Sequence, residues 1–120
     1  MIAKFIRGIP YARHKNRGDT QAPKRWTEAV VQQTDDLPNV GNACLLKLTF
    51  CLPPDKFPAD LPYGPDLDNL TKRTLDALQS TVFREAKGHD SCVVVLIAMK
   101  TKVTKSDQAG LHLEILPVTV

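Results

Sequence analysis

Five prolines within fourteen residues are the feature that most restricts how this chain can fold. They lie in the segment LPPDKFPADLPYGP at residues 52–65. Proline lacks the backbone N–H that helices and central strands use, so we expect this segment to form an irregular surface loop. Regular elements must therefore lie before and after it. The length of 120 residues is that of one domain, and we expect a single domain over residues 1–120.

Apolar periodicity on either side of the loop predicts six regular elements. They are strands at residues 2–8, 43–51, 92–99 and 111–116, and helices at residues 24–33 and about 70–82. The segment 92–99 is apolar throughout, which is typical of a strand buried on both faces. Residues 100–110 are predicted to form a hairpin-like turn, and Trp26 to anchor the first helix in the core. The order β-α-β-α-β-β indicates an α+β fold in which two helices pack on a mixed sheet.

Composition excludes several classes of protein. No apolar run approaches the roughly 20 residues that cross a bilayer, so no membrane span is predicted. The N-terminal residues lack the apolar stretch of a secretion signal, and we expect an intracellular, cytoplasmic protein. The three cysteines, Cys44, Cys51 and Cys92, are too widely spaced for a zinc site or a disulfide framework and are expected to be reduced.

The distribution of charge is more informative than the net charge of +3. Residues 1–34 hold seven basic and two acidic side chains, whereas residues 35–70 hold two basic and six acidic ones. Acidic groups beside basic ones suit a metal-dependent nuclease, in which carboxylates hold a cation and basic side chains hold phosphates, although many soluble proteins share the pattern. The candidates for DNA binding in the first region are Arg13, Lys15, Arg17, Lys24 and Arg25.

The densest group of polar residues precedes the second helix. Asp66 and Asp68 stand two residues apart, so in an extended segment their carboxylates project from the same side. Oxygen ligands of this kind suit Mg²⁺ or Mn²⁺. Lys72 follows one turn into the helix, close enough to neutralise a bound phosphate. The alternative is that Asp68 or Asn69 caps the helix, that Asp66 is a solvated loop residue and that Lys72 lies at the surface.

A calcium-binding EF-hand loop beginning at Asp66 is excluded. The positions that require an oxygen ligand, a glycine and a glutamate hold Leu70, Thr71 and Ala77.

A third carboxylate, Asp90, stands at the head of the apolar strand. The second helix rises about 21 Å, and an extended linker over residues 83–89 spans at most about 23–25 Å. The chain is therefore long enough to return Asp90 to the side of Asp66 and Asp68. The alternative is that Asp90 only ends a turn before the strand.

These residues also form a recognisable pattern. Residues 65–116 resemble the RusA family of Holliday junction resolvases in four motifs: Asp66-Leu67-Asp68-Asn69-Leu70-x-Lys72, Leu75-Asp76-Ala77-Leu78, Asp90-Ser91-Cys92-Val93 and Lys100-Thr101-Lys102. The resemblance implies an α+β homodimer that cuts branched DNA with Mg²⁺, for which Mn²⁺ can substitute.

The resemblance also assigns roles to individual residues. It implies that Asp66, Asp68 and Asp90 are the catalytic, metal-binding carboxylates and that Lys72 is the catalytic lysine. Lys100 and Lys102 become further candidates for DNA contact.

The sequence thus leads to one main hypothesis and two alternatives. The main hypothesis is a single-domain Mg²⁺-dependent endodeoxyribonuclease that resolves four-way junctions in DNA recombination and repair. The first alternative is a non-catalytic nucleic-acid-binding protein with the same fold. The second is a small adaptor domain without any role on nucleic acid.

Overall fold

A computed structural model describes residues 1–11, 21–57 and 63–120 of the chain. Within these ranges four strands and two α-helices follow one another in the predicted order. The strands are β1 (Ile2–Arg7), β2 (Cys44–Leu52), β3 (Val93–Lys102) and β4 (Gly110–Pro117), and the helices are α1 (Ala22–Thr34) and α2 (Leu67–Leu78). The α+β class predicted from the sequence is confirmed.

The four strands form one mixed sheet in the order β1-β4-β2-β3. Strand β4 is antiparallel to both of its neighbours, β1 and β2, whereas β3 is parallel to β2. The predicted hairpin between the last two strands is wrong, because β2 separates them. Leu111, Leu113 and Ile115 of β4 are all at most 3% exposed, and a central position in the sheet buries them more completely than an edge position would.

The two helices pack side by side over the sheet and share its hydrophobic core. Trp26 is 1% exposed, as predicted, and its Nε1 donates a hydrogen bond to Thr74 Oγ1 over 3.3 Å. Eight residues further along α1, Thr34 Oγ1 lies 2.8 Å from Thr81 Oγ1. In both contacts the residue of the second helical segment stands 47 or 48 positions after its partner in α1. Because this offset stays nearly constant along α1, the two helices run in the same direction and begin at the same end of the molecule.

Helix α2 begins and ends earlier than the periodicity predicted. It spans Leu67–Leu78 rather than residues 70–82. Phe83 N–H donates to the carbonyl of Leu78 over 3.0 Å, which closes the helix and turns the chain. Val82 and Phe83 are fully buried after this turn, so they join the core without continuing the helix.

Strand β3 contradicts the prediction that it is buried on both faces. It is an edge strand of the sheet. Five of its large apolar side chains are between 41% and 48% exposed: Val94, Val95, Leu96, Ile97 and Met99. A continuous apolar run is as compatible with an edge strand as with a central one, since the sequence does not show which neighbours cover it.

The three cysteines are free, as predicted. In the described parts of the chain no helix is long and apolar enough to cross a membrane.

Candidate active site

The alternative in which Asp68 or Asn69 caps α2 is wrong, because the helix already begins at Leu67. Asp66 stands at the N-cap position with extended backbone, but its side chain makes no capping hydrogen bond. Its Oδ2 instead accepts a hydrogen bond of 3.5 Å from Asn69 Nδ2. Asp68 lies in the first turn of the helix, and both aspartates are exposed. The expectation that they share one extended segment is wrong, because the helix already begins at Leu67.

One face of α2 carries charged side chains four residues apart. Asp68, Lys72 and Asp76 follow this spacing, which places them one above the other on the helix surface. They line a pocket of about 610 Å³ together with Asp90. The remaining wall is largely apolar and comes from both α2 and β3: Leu67, Thr71, Leu75, Leu96 and Ala98. The structure therefore brings Asp68, Lys72 and Asp90 to one pocket.

Asp90 lies near the far end of α2. It belongs to a short 3₁₀ turn, His89–Cys92, and its Oδ2 accepts a hydrogen bond of 3.3 Å from Gln79 Nε2. Gln79 immediately follows the twelve residues of α2, whose rise is about 18 Å. Asp66 and Asp90 of one chain are therefore at opposite ends of the helix.

The expected return of Asp90 to the side of Asp66 does not occur, because the linker is folded. Its backbone hydrogen bonds run from Ala86 N–H to the Phe83 carbonyl and from His89 N–H to the Ala86 carbonyl, each 3.1 Å. Burial of the Phe83 and Ala86 side chains stabilises these turns. A folded linker covers much less distance than the extended one that the estimate assumed.

The carboxylates fit a hard divalent cation by their chemistry. Among the described residues, no three His, Cys, Asp or Glu side chains are already arranged to hold a metal ion. Mg²⁺ is commonly bound by only one or two carboxylates, and phosphate and water oxygens complete its coordination. Asp68 and Asp90 each offer carboxylate oxygens at the pocket.

Lys100 does not point freely into solvent. Its Nζ donates hydrogen bonds to the carbonyls of Tyr63, over 2.8 Å, and Pro65, over 2.9 Å. The ammonium also lies 5.4 Å from the centre of the Phe57 ring. Lys100 therefore fastens the segment that leads into Asp66 onto the C-terminal end of β3.

The other candidates for DNA contact lie in several places. Lys102 is exposed and lines a shallow groove with Phe5 and His112. Lys24 and Arg25 are exposed in the first turn of α1, at the same end of the helix pair as Asp66 and Asp68. The predicted contacts Arg13, Lys15 and Arg17 lie outside the described residues.

Three residues near the pocket were not among the predicted site residues. Gln79 orients Asp90, Asp76 lines the pocket, and Arg73 lines a second cavity between the two helices. The eight-residue spacing from Asp68 could have indicated Asp76. No sequence signal could have joined Gln79 to Asp90, since their contact depends on the folded linker.

A pocket with two or more carboxylates and a lysine, on an α+β fold, suits a metal-dependent nuclease. Comparison with protein families agrees. A family model described as Endodeoxyribonuclease RusA matches residues 10–116 of the chain, and the protein belongs to the RusA family of endodeoxyribonucleases. A search of curated proteins found no match.

Proposed function

We propose that the protein is a Mg²⁺-dependent, structure-selective endodeoxyribonuclease that resolves four-way junctions during DNA recombination and repair inside the cell. The observation that carries the proposal is the pocket along α2 that Asp68, Lys72 and Asp90 line, in a chain of an endodeoxyribonuclease family. The non-catalytic alternative is weaker, because the family to which the chain belongs is one of endodeoxyribonucleases.

Each residue has a specific part in this chemistry. In this proposal Asp66 and Asp68 of one subunit and Asp90 of the partner subunit would hold the cation, which when bound supplies the Lewis acidity that activates water and stabilises charge on the phosphate. Mn²⁺ shares the preference for oxygen ligands and should substitute. Lys72 offsets the negative charge that develops on the phosphate in the transition state. Gln79 keeps Asp90 in place through its hydrogen bond of 3.3 Å.

The active form in this proposal is a homodimer. A two-fold symmetric junction requires two symmetric cuts, which two copies of one active site provide. The exposed apolar side chains of β3 support this, since a long apolar edge strand readily pairs with another strand. We propose that β3 pairs with β3 of a second copy in antiparallel orientation.

The sequence of β3 is suited to such pairing. The apolar run Val93–Met99 is centred on Leu96, so a two-fold axis at Leu96 overlaps the run with itself over its full length. This register places the end of β3 at Lys102 near the 3₁₀ turn that holds Asp90 of the partner subunit.

The same register brings the carboxylates together. Lys100, near the end of β3, holds the carbonyl of Pro65 directly before Asp66. Asp90 of the partner subunit therefore approaches Asp66 and Asp68 of the first subunit. The Asp90 of the same chain lies too far along α2 to approach Asp66. In this proposal each metal site is shared between two subunits.

A cleavage assay on a synthetic four-way junction tests the function. We expect paired cuts across the junction with Mg²⁺, none after chelation with EDTA, and little cleavage of linear duplex of the same sequence. Binding of the junction without cleavage, with either Mg²⁺ or Mn²⁺, would instead establish the non-catalytic alternative.

A further inference from the structure

A second cavity lies between the two helices, separate from the acidic pocket. It is a groove of about 410 Å³ lined by Thr27 and Val31 of α1 and by residues of α2 and its end: Asn69, Lys72, Arg73, Asp76, Ala77 and Ser80. Lys72 and Asp76 also line the acidic pocket. These two side chains thus form the wall that the two cavities share.

The groove combines positive charge with hydrogen-bonding groups. It holds two cations, Lys72 and Arg73, against one carboxylate, Asp76, so its net charge is positive. Within the described parts of the chain no hydrogen bond or ion pair occupies the Arg73 guanidinium, although the side chain is half-buried. The buried Thr27 Oγ1 also has no partner there. The amide of Asn69 and the hydroxyl of Ser80 complete the polar lining.

The ends of the helices add to this charge. Because α1 and α2 run in the same direction, their first turns lie at one end, and the 48-residue offset places Lys24 level with Lys72 and Arg25 level with Arg73. Helix N-termini carry partial positive charge that favours anions. The positive charge of the groove, which comes from Lys72 and Arg73, therefore lies toward the end at which the two helices begin.

We propose that this groove binds a phosphate of the DNA backbone next to the phosphate that is cut, and that Arg73 is its principal ligand. Arginine suits this role, since its planar guanidinium can donate two parallel hydrogen bonds to phosphate oxygens. Lys72, in the shared wall, faces the cut phosphate while Arg73 holds its neighbour. This contact fixes the register of the strand in the acidic pocket.

The inference rests on one part of the proposed function, namely that the chain binds DNA. It is therefore tested by measuring DNA binding without cleavage. Junction affinity is measured over a range of KCl concentrations without divalent metal, so that no cleavage occurs. Arg73→Ala should weaken binding about tenfold or more, as the loss of a charged hydrogen bond does. It should also reduce the slope of log affinity against log salt by about 0.9. Arg73→Lys should retain the slope but recover only part of the affinity.

Lys47→Ala is the matched control, because it also removes one positive charge. Lys47 lies between the buried residues Leu46 and Leu48 of β2, so its side chain is on the sheet face opposite the helices. It should leave affinity and salt slope unchanged. Equal effects of Arg73→Ala and Lys47→Ala would overturn the inference, since they would reflect net charge alone.

Neutral phosphate analogues identify the contact itself. In junctions with one methylphosphonate at successive positions around the cut, one position should weaken the wild type about tenfold and have no further effect on Arg73→Ala. Additive losses at every position would contradict the inference.

Cleavage of the junction with Mg²⁺ is measured separately. If the wild type cleaves the junction but Arg73→Ala binds it as tightly as the wild type, the phosphate site in the groove is refuted and the nuclease function is not. Arg73-dependent binding without cleavage refutes the proposed nuclease function alone. A wild type that binds no DNA refutes both.

Discussion

At the scale of single residues, the charge of Lys72 has no structural use that would explain it. The side chain is exposed and, in the described parts of the chain, no hydrogen bond or ion pair holds it. It stands four residues after Asp68 on the same helix face and lines the acidic pocket. A cation there lowers the energy of a phosphate transition state, which carries more negative charge than the ground state.

Replacement of Lys72 should therefore affect the rate and not the fold. We expect Lys72→Ala to reduce single-turnover cleavage of the junction by roughly 10²-fold or more, with junction affinity changed less than about threefold. Lys72→Arg keeps the charge but not the compact ammonium group and should recover only part of the rate. Wild-type rates in both variants would remove Lys72 from the active site.

Cys44 gives a residue-scale prediction about stability. Burial, with a further contribution from the neighbouring Cys92 thiol, raises the pKa of Cys44 from 9.0 to about 11. The unfolded chain thus loses the thiol proton near pH 9, whereas the folded chain retains it until about pH 11. The stabilisation is fully present below pH 9 and is lost as the pH rises through that window.

In urea titrations the free energy of unfolding should fall between pH 9 and 11, with Cys44 contributing at most about 1.4 kcal/mol per pH unit. Cys44→Ala should make this decrease shallower. An identical pH dependence in the variant would show that Cys44 does not contribute.

At the scale of elements, Lys100 couples the end of β3 to the start of α2. Its two hydrogen bonds to the carbonyls of Tyr63 and Pro65 hold the segment directly before Asp66. The sequence suggested DNA contact for Lys100, since a lysine in a family motif is ordinarily taken as a phosphate ligand. The structure instead gives its ammonium a local role in positioning the first aspartate.

Lys100→Met retains the length of the side chain but removes both hydrogen bonds. We expect a loss of about 1.5–3 kcal/mol in unfolding free energy and slower cleavage, with the salt dependence of DNA binding unchanged. Lys102→Met, at an exposed position two residues away, should leave stability unchanged. If Lys100→Met lowers the salt slope by about 0.9 and leaves stability unaltered, its role is DNA contact.

At the scale of the whole molecule, the exposed apolar strand and the separated carboxylates have one common explanation. Each is anomalous in a monomer: β3 exposes five large apolar side chains, and α2 separates Asp66 from Asp90 by its length. The proposed antiparallel pairing of β3 with a second copy would cover the strand and bring the partner's Asp90 toward Asp66.

Sedimentation measurements test the dimer without DNA or metal. The wild type should have twice the monomer mass of 13.3 kDa, and Ile97→Asp should reduce the mass to that of the monomer. Ile97 is 42% exposed and Ile9, near the opposite edge strand, is 45% exposed, so Ile9→Asp is the matched control and should remain dimeric. A monomeric wild type, or a dimeric Ile97→Asp, would contradict pairing through β3.

Mixing two inactive variants tests whether the site is shared. Asp66→Asn and Asp90→Asn should each abolish cleavage as pure proteins, with folding intact because clustered carboxylates repel one another without metal. A mixed dimer with one subunit of each contains one complete shared site. Mixing should therefore restore nicking of a single strand. If mixing restores nothing, each site is built within one chain.

The sequence alone determined the order and type of the elements, since these depend on local properties. Alternating apolar residues, proline positions and helical spacing act over a few neighbouring residues, and they predicted the α+β class and the core position of Trp26. Candidate acidic and basic residues for the site could also be proposed, because their residue types and short spacings are visible in one segment.

The tertiary structure decided which strand lies at the edge of the sheet and which carboxylates meet. The apolar run of β3 has the same sequence pattern whether it is central or at an edge, because burial depends on distant elements. The position of Asp90 depends on a linker that folds around the buried Phe83 and Ala86, an outcome of core packing. Long-range contacts of this kind are determined by the whole chain, and no local pattern encodes them.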